Sequence, residues 1–260
     1  MLSKADQDVF NLKQFSLSQF QAPIKVGTDA LLLGAWSAAL KIPNQVTQVL
    51  DIGTGTGILA LMMAQRFQAA DIHALEIDPT AQALAQLNFQ ASQWSQRLHL
   101  HFLSLQVFAS KNLLEDETQG IDLILSNPPY FPLHSHSPQP SRARGRSQID
   151  LHWSDILAFA CQRLRLDGQL ALILPVQDWP QLLPEALRLG LFPVRLCWVA
   201  GHKGVPAKRL LSAWSRQPFS SISEWLIVRQ GASPRSEYSP DYLHLLKEYF
   251  PGISYREQQS

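Results

Sequence analysis

Cysteine is nearly absent. The 260 residues hold two, Cys161 and Cys197, far apart and outside any Cys-x-x-Cys pattern. That excludes a disulfide framework and a cysteine zinc site, and no other metal-ligand pattern replaces them. Both thiols read as small packed residues. Charge is also sparse: 17% of residues, against roughly 25% in ordinary domains. With a net charge of +1, no bulk field marks the chain as a polyanion binder. No long apolar run exists either. The most apolar stretch, residues 30–40, is about half the roughly 20 residues a membrane helix needs. Residues 1–6 lack the charged-then-apolar pattern of a secretory leader. The expectation is a cytoplasmic, monomeric, metal-free protein that stays off the membrane. Acids are missing locally as well. Residues 123–149 contain none but hold Arg142, Arg144 and Arg146. Residues 187–222 contain none but hold Arg188, Arg195, Lys203, Lys208, Arg209 and Arg216. Such stretches suit either solvated loops or a local nucleic-acid face.

What is present is a folded composition, with 46% hydrophobic residues, ample for a buried core. A helix is predicted from Asp29 to about Leu40, with Thr28 as N-cap and Pro43 beyond its end. Strands are then predicted over 46–52, 72–77, 98–103, 121–125 and 169–174. Helices between them cover 58–67, 81–89 and 154–164, the last ending before Asp167-Gly168. This alternation implies an α/β chain with a parallel, doubly wound sheet. Three more strands, over 192–199, 209–215 and 222–228, leave no room for a helix between the last two and suggest an antiparallel C-terminal edge. A final helix spans 241–249. The chain reads as one domain, residues 1–260: an extension and helix to residue 45, then the core. The loop 131–150 is long enough to expect a function.

Between the first strand and its helix runs Asp51-Ile52-Gly53-Thr54-Gly55-Thr56-Gly57. Strand, glycine turn and helix put backbone N–H groups at a helix start, and glycine lets the backbone approach a ligand closely. The spacing differs from the dinucleotide fingerprint and lacks the Lys-Ser/Thr of a phosphate loop. It resembles the S-adenosylmethionine (SAM) site of a Rossmann-like methyltransferase. That resemblance implies a mostly parallel seven-stranded sheet with helices on both faces. It also implies that Asp51, Gly53, Thr54, Gly55, Thr56 and Gly57 line the methionine part. Glu76, ending the second strand, would accept from the ribose hydroxyls, with Ile77 on the adenine. Ser104, beside Leu105, stands where many such proteins carry an acid for the adenine amine.

The fourth strand runs into Asn127-Pro128-Pro129-Tyr130. An amino group on a planar π-system is a poor nucleophile because its lone pair is delocalised. Two acceptors aimed at its two N–H bonds localise that pair. Asn127 offers a side-chain carbonyl and Pro128 a backbone carbonyl. The prolines fix φ and hold that carbonyl at low entropic cost. Tyr130 and Phe131 can stack on the planar group. These residues leave three acceptors of the methyl open: adenine N6, another nucleobase amine, or a glutamine side chain.

A wider set of segments bears on the choice. Lys13-Gln14-Phe15, Lys25-Val26-Gly27-Thr28-Asp29, Leu33-Gly34-Ala35-Trp36, the glycine turn, the Asn127 to Phe131 loop and the tail segments Arg209 to Arg216, Glu224 to Val228, Tyr238-Ser239-Pro240 and Tyr249-Phe250 resemble the bacterial tRNA adenine N6-methyltransferases that act on position 37 of a valine tRNA. The resemblance implies that this tRNA is the partner. It assigns Phe131, Arg142, Arg144, Arg146, Lys203, Lys208 and Arg209 to substrate binding. The rival, a glutamine N5-methyltransferase of release factors, shares the loop. It carries a helical amino-terminal domain that some 45 residues cannot supply.

Overall fold

The computed structural model describes residues 8–111, 120–129, 151–233 and 235–250. A small antiparallel hairpin of β1 (Val9–Asn11) and β2 (Ser16–Ser18) opens the chain. Helix α1 (Thr28–Ser37) follows. Then come β3 (Gln48–Ile52), α2 (Ile58–Arg66), β4 (Asp71–Leu75), α3 (Pro79–Ala91), β5 (Leu98–His101), α4 (Leu105–Lys111) and β6 (Ile121–Ser126). The second half holds α5 (Trp153–Arg163), β7 (Leu164–Pro175), α6 (Trp179–Arg188), β8 (Phe192–His202), β9 (Arg209–Ser215), β10 (Ile222–Arg229) and α7 (Pro240–Leu246).

The main sheet has eight strands, in the order β10-β8-β9-β7-β6-β3-β4-β5. That is one more than the seven-strand expectation. The direction change also sits elsewhere than expected. β9 is antiparallel to both β7 and β8, but β10 pairs parallel to β8. The reversed strand is therefore interior and the edge is parallel. The short link 216–221 passes round the start of β8, which is why no helix is needed.

Alternation along the strands divides the core. Val49, Ile72, Leu123, Leu125 and Ile173 point to one face, packed by α1, α2 and α7. Leu50, Ile52, Ile124, Leu172 and Leu174 point to the other, packed by α5 and α6. Period-two side chains make both faces of these strands apolar, as a sheet covered on both sides requires. Gly34 permits the α1–α2 contact, since a Cβ there would lie 2.5 Å from Met62 Sδ.

Three local expectations are corrected. Thr28 is the first helical residue and Gly27 is the cap, without a side-chain bond. The helix ends at Ser37 because Ala38 to Leu40 already turn back on Gly34, Trp36 and Ser37 carbonyls. Asp167-Gly168 do not break the chain but lie inside β7. Gly168 serves close strand packing, with its Cβ position 2.6 Å from the Ile121 carbonyl oxygen.

Candidate active site

β3 is the point where the strand order reverses. The chain leaves it through α2 towards β4 on one side, while β6 pairs with it on the other. Ligands of open α/β sheets bind beyond the carboxyl ends of strands at such a point. Ile52 and Ser126 are register partners. The glycine turn after Ile52 and the Asn127 loop after Ser126 therefore leave the sheet side by side. Ser126 is buried and donates its hydroxyl to the Ile52 carbonyl at 2.7 Å, clamping the two strand ends.

The turn is built from left-handed glycines: Gly53, Gly55 and Gly57 have φ of 76°, 57° and 86°. Gly57 is doubly required, because a Cβ would meet Phe89 Cε1 at 2.5 Å. Over Gly55 no atom lies within 4 Å of the Cβ position, so that part of the turn is open to a ligand. Asp51 is fully buried beneath it. Its Oδ2 accepts from Thr54 Oγ1 at 2.5 Å, and Oδ1 makes no hydrogen bond among the described residues. Burial pushes this carboxyl up to about 7, aided by the Glu76 charge. Thr54 and the Ala60 N–H pull it the other way. A buried carboxylate with an unmet oxygen fits a cationic amino group such as that of SAM.

Glu76 accepts the Gly55 N–H at 2.8 Å on Oε2, and the N–H groups of Ile77 and Asp78 at 2.8 and 2.9 Å on Oε1. Three of its roughly four acceptor positions are thus taken by backbone. One remains for a ribose hydroxyl, and binding both hydroxyls requires the Gly55 contact to yield. Ile77 is half-buried beside it. Ser104 is less suited to its expected task. Its hydroxyl accepts from the Val107 N–H at 3.3 Å, as a cap on α4. Leu105 is buried against the second core.

Of the run Asn127-Pro128-Pro129-Tyr130, Asn127 is half-buried, Pro128 buried and Pro129 exposed. Tyr130, Phe131, Arg142, Arg144 and Arg146 lie outside the described residues. Lys203 and Lys208 are exposed on the β8–β9 connection, at the same end of the sheet as Asn127. Arg209 begins β9 there and donates Nε to Asp29 Oδ2 at 2.8 Å. Lys208 and Arg209, with Pro175, Val176, Gln177 and Ala207, line an open groove of about 530 Å³. Lys25 forms an ion pair with Asp8 at 2.7 Å.

Asn88 is a further residue of this site without a motif to announce it. It is buried on α3 and donates Nδ2 to the Thr56 carbonyl at 2.8 Å and to the Ser18 carbonyl at 3.1 Å. Its Oδ1 accepts the Ser18 N–H at 2.8 Å. It thus ties the amino-terminal hairpin to the glycine turn. A polar residue on the buried stripe of α3 is the only sequence signal.

Comparison with known proteins places the chain in a family. Residues 24–188 match the family described as "Methyltransferase small domain". A tRNA1(Val) (adenine(37)-N6)-methyltransferase of Flavobacterium johnsoniae is 36% identical over 93% of this chain and 99% of its own. The Pasteurella multocida protein of the same name is 34% identical over 95% and 98%. Among solved structures, a predicted O-methyltransferase from Agrobacterium tumefaciens superposes with a TM-score of 0.64 at 18% identity, over 85% of this chain and 96% of that one. A type I restriction-modification methyltransferase subunit from Streptococcus thermophilus gives 0.58 at 13%, over 87% and 52%. At those identities both show the fold alone.

Proposed function

Because the chain belongs to the family of tRNA1(Val) (adenine(37)-N6)-methyltransferases, we propose that it methylates N6 of adenine 37 in a valine tRNA, acting as one domain with SAM as donor. The observation that carries this reading is the Ile52–Ser126 register pair, which sets the glycine turn beside Asn127.

Asp51, the turn 53–57, Glu76 and Ile77 are the residues that would hold SAM. Ser104 and Leu105 are the weaker members of that set. When bound, SAM supplies a methyl group activated by its sulfonium. The protein prepares the acceptor. The Asn127 side-chain oxygen and the Pro128 carbonyl take the two N6–H bonds, drawing the lone pair out of conjugation. Pro128 and Pro129 hold the loop without rotational freedom. Tyr130 and Phe131 would stack on the base. Orientation supplies most of the acceleration, and the spare proton leaves to water afterwards. Lys203 and Lys208, with Arg142, Arg144 and Arg146, hold phosphates. Arg209 shares its guanidinium between the tRNA and Asp29. Because A37 lies in a loop, extruding it costs less than flipping a base from a duplex.

The test is transfer from labelled SAM, with valine tRNA unmodified at A37 and a release factor offered together. Label recovered as N6-methyladenosine at position 37 is expected; label in the protein alone would refute the reading. Asn127→Ala should lower turnover at least a hundredfold while SAM binding persists. Loss of both together would make Asn127 structural.

A further inference from the structure

A run of four indoles leads from the core to the surface on the α6 face of the sheet. Trp214 is fully buried and packs on Trp179 at 5.8 Å. Trp179 meets Trp198 edge-on at 6.0 Å, and Trp198 stacks on Trp225 at 6.2 Å and 29°. Trp225 ends the run with 64% of its surface exposed. A single exposed apolar residue needs no explanation. A stacked pair with a polar anchor differs, because Trp198 Nε1 donates to Ser223 Oγ at 3.2 Å and orients the ring. The core is complete at Trp214 and Trp179, so Trp225 adds little to it.

The surroundings identify the partner. Side chains alternate along a strand, and Trp225 is the register partner of Trp198. Ile227 and Arg229 therefore share their face with Ala200 and His202, which they pair in turn. No carboxylate belongs to this face of β8 and β10. Glu224 lies on the opposite one, held by Trp36 at 2.9 Å and Arg195 at 2.9 Å. Arg229 lies over the Tyr238 ring at 4.2 Å. The strip runs from the indole pair, past His202 and Arg229, to the end of the sheet where Lys203 and Lys208 are exposed. β10 is four strand spacings from the strand that carries Asn127, or about 19 Å. Aromatic faces interleaved with cations, on two strands whose shared face carries no acid, fit a nucleic-acid strand.

We propose that Trp225 and Trp198 form a stacking platform for an unpaired base of the tRNA, at a nucleotide other than the target adenine. The proposal rests on the tRNA reading above. RNA is recognised largely through unpaired bases laid on aromatic side chains. A second stacking point would fix the direction in which the anticodon arm crosses the site.

The test is Trp225→Ala in the full chain, with thermal melting to check folding. Dissociation constants for valine tRNA and for SAM are measured separately, with steady-state kinetics beside them. Expected is a rise of about tenfold in the tRNA Kd. The loss should fall on KM rather than kcat, with the SAM Kd unmoved. Trp225→Phe should recover most of the affinity. Trp225→Lys should not, although it adds a cation, which separates stacking from charge. Unchanged tRNA affinity in Trp225→Ala, with wild-type protein active on tRNA, would overturn the platform and leave the function standing. Wild-type protein inactive on every tRNA would remove both. Conversion of a wild-type dimer into a monomer, with tRNA affinity intact, would give the face to a second copy and overturn the proposal.

Discussion

If Asp51 holds SAM as proposed, it is the residue where stability and binding conflict. A carboxyl pushed up to about 7 by burial holds its proton more tightly folded than unfolded. Stability of the free protein therefore falls as pH rises from about 4 to about 7, and levels off above. Asp51→Asn should stabilise the free protein at pH 8 by on the order of 1–3 kcal/mol, with little gain at pH 4. SAM affinity should drop more than tenfold. Melting curves at the two pH values, with calorimetry for SAM, check both halves; an equal gain at both would disprove the linkage. Gly57 is constrained differently. Its φ of 86° and the Phe89 ring at 2.5 Å from a Cβ position make Gly57→Ala cost about 2 kcal/mol or more. Urea unfolding should show this as a lower midpoint at an unchanged slope.

At the scale of elements, β4 and β5 carry a histidine ladder. His73 Nδ1 lies 2.9 Å from His101 Nε2, and His99 pairs with Asp71 at 2.9 Å. Burial, then the charges of His101 and His99, push His73 down to about 4, against the pull of Asp71. Its neutral form is favoured by folding, so the stability it contributes is present above about pH 6.5 and lost as pH falls towards 4. Denaturant titrations should show wild-type stability declining over that window. In His73→Gln the decline should be shallower, by on the order of 1 kcal/mol after allowing for partial exposure. The parallel core was legible from short β-branched runs bounded by glycine turns, because both faces of those strands are apolar. Four elements were not, the two-turn α4 (Leu105–Lys111) among them. β1 and β2 are three residues each, too short for a period to register. α6 carries Pro184 inside it, a residue that argues against a helix because it removes an interior N–H donor. The Asn127 loop and the glycine turn were readable because local chemistry dictates them. Asn88 was not, because its partners lie 32 and 70 positions away.

For the whole molecule, a net charge of +1 means that tRNA affinity depends on where cations sit, not how many there are. Replacing Arg142, Arg144 and Arg146 by Ala should weaken tRNA binding uniformly and flatten the plot of log K against log salt. The same should hold for Lys203 with Lys208, which are exposed on the β8–β9 connection at the same end of the sheet as Asn127. An unchanged salt slope for either set would remove it from the RNA face. SAM affinity should be indifferent to both.

The interior position of β9 also bears on how the protein is made. β8 is synthesised before β9, yet the finished sheet places β9 between β7 and β8. A nascent chain that ends at Lys208 has its parallel half assembled and the β7 side unpaired, with Ala171, Leu172 and Ile173 along it. β8 has no strand to join until residues 209–215 arrive, and β10 has none until β8 does. An open apolar edge is a template for pairing with other chains. The chain is therefore expected to be most prone to aggregate in the interval between Pro175 and Ser215 leaving the ribosome. Chaperone contact during synthesis should be concentrated there.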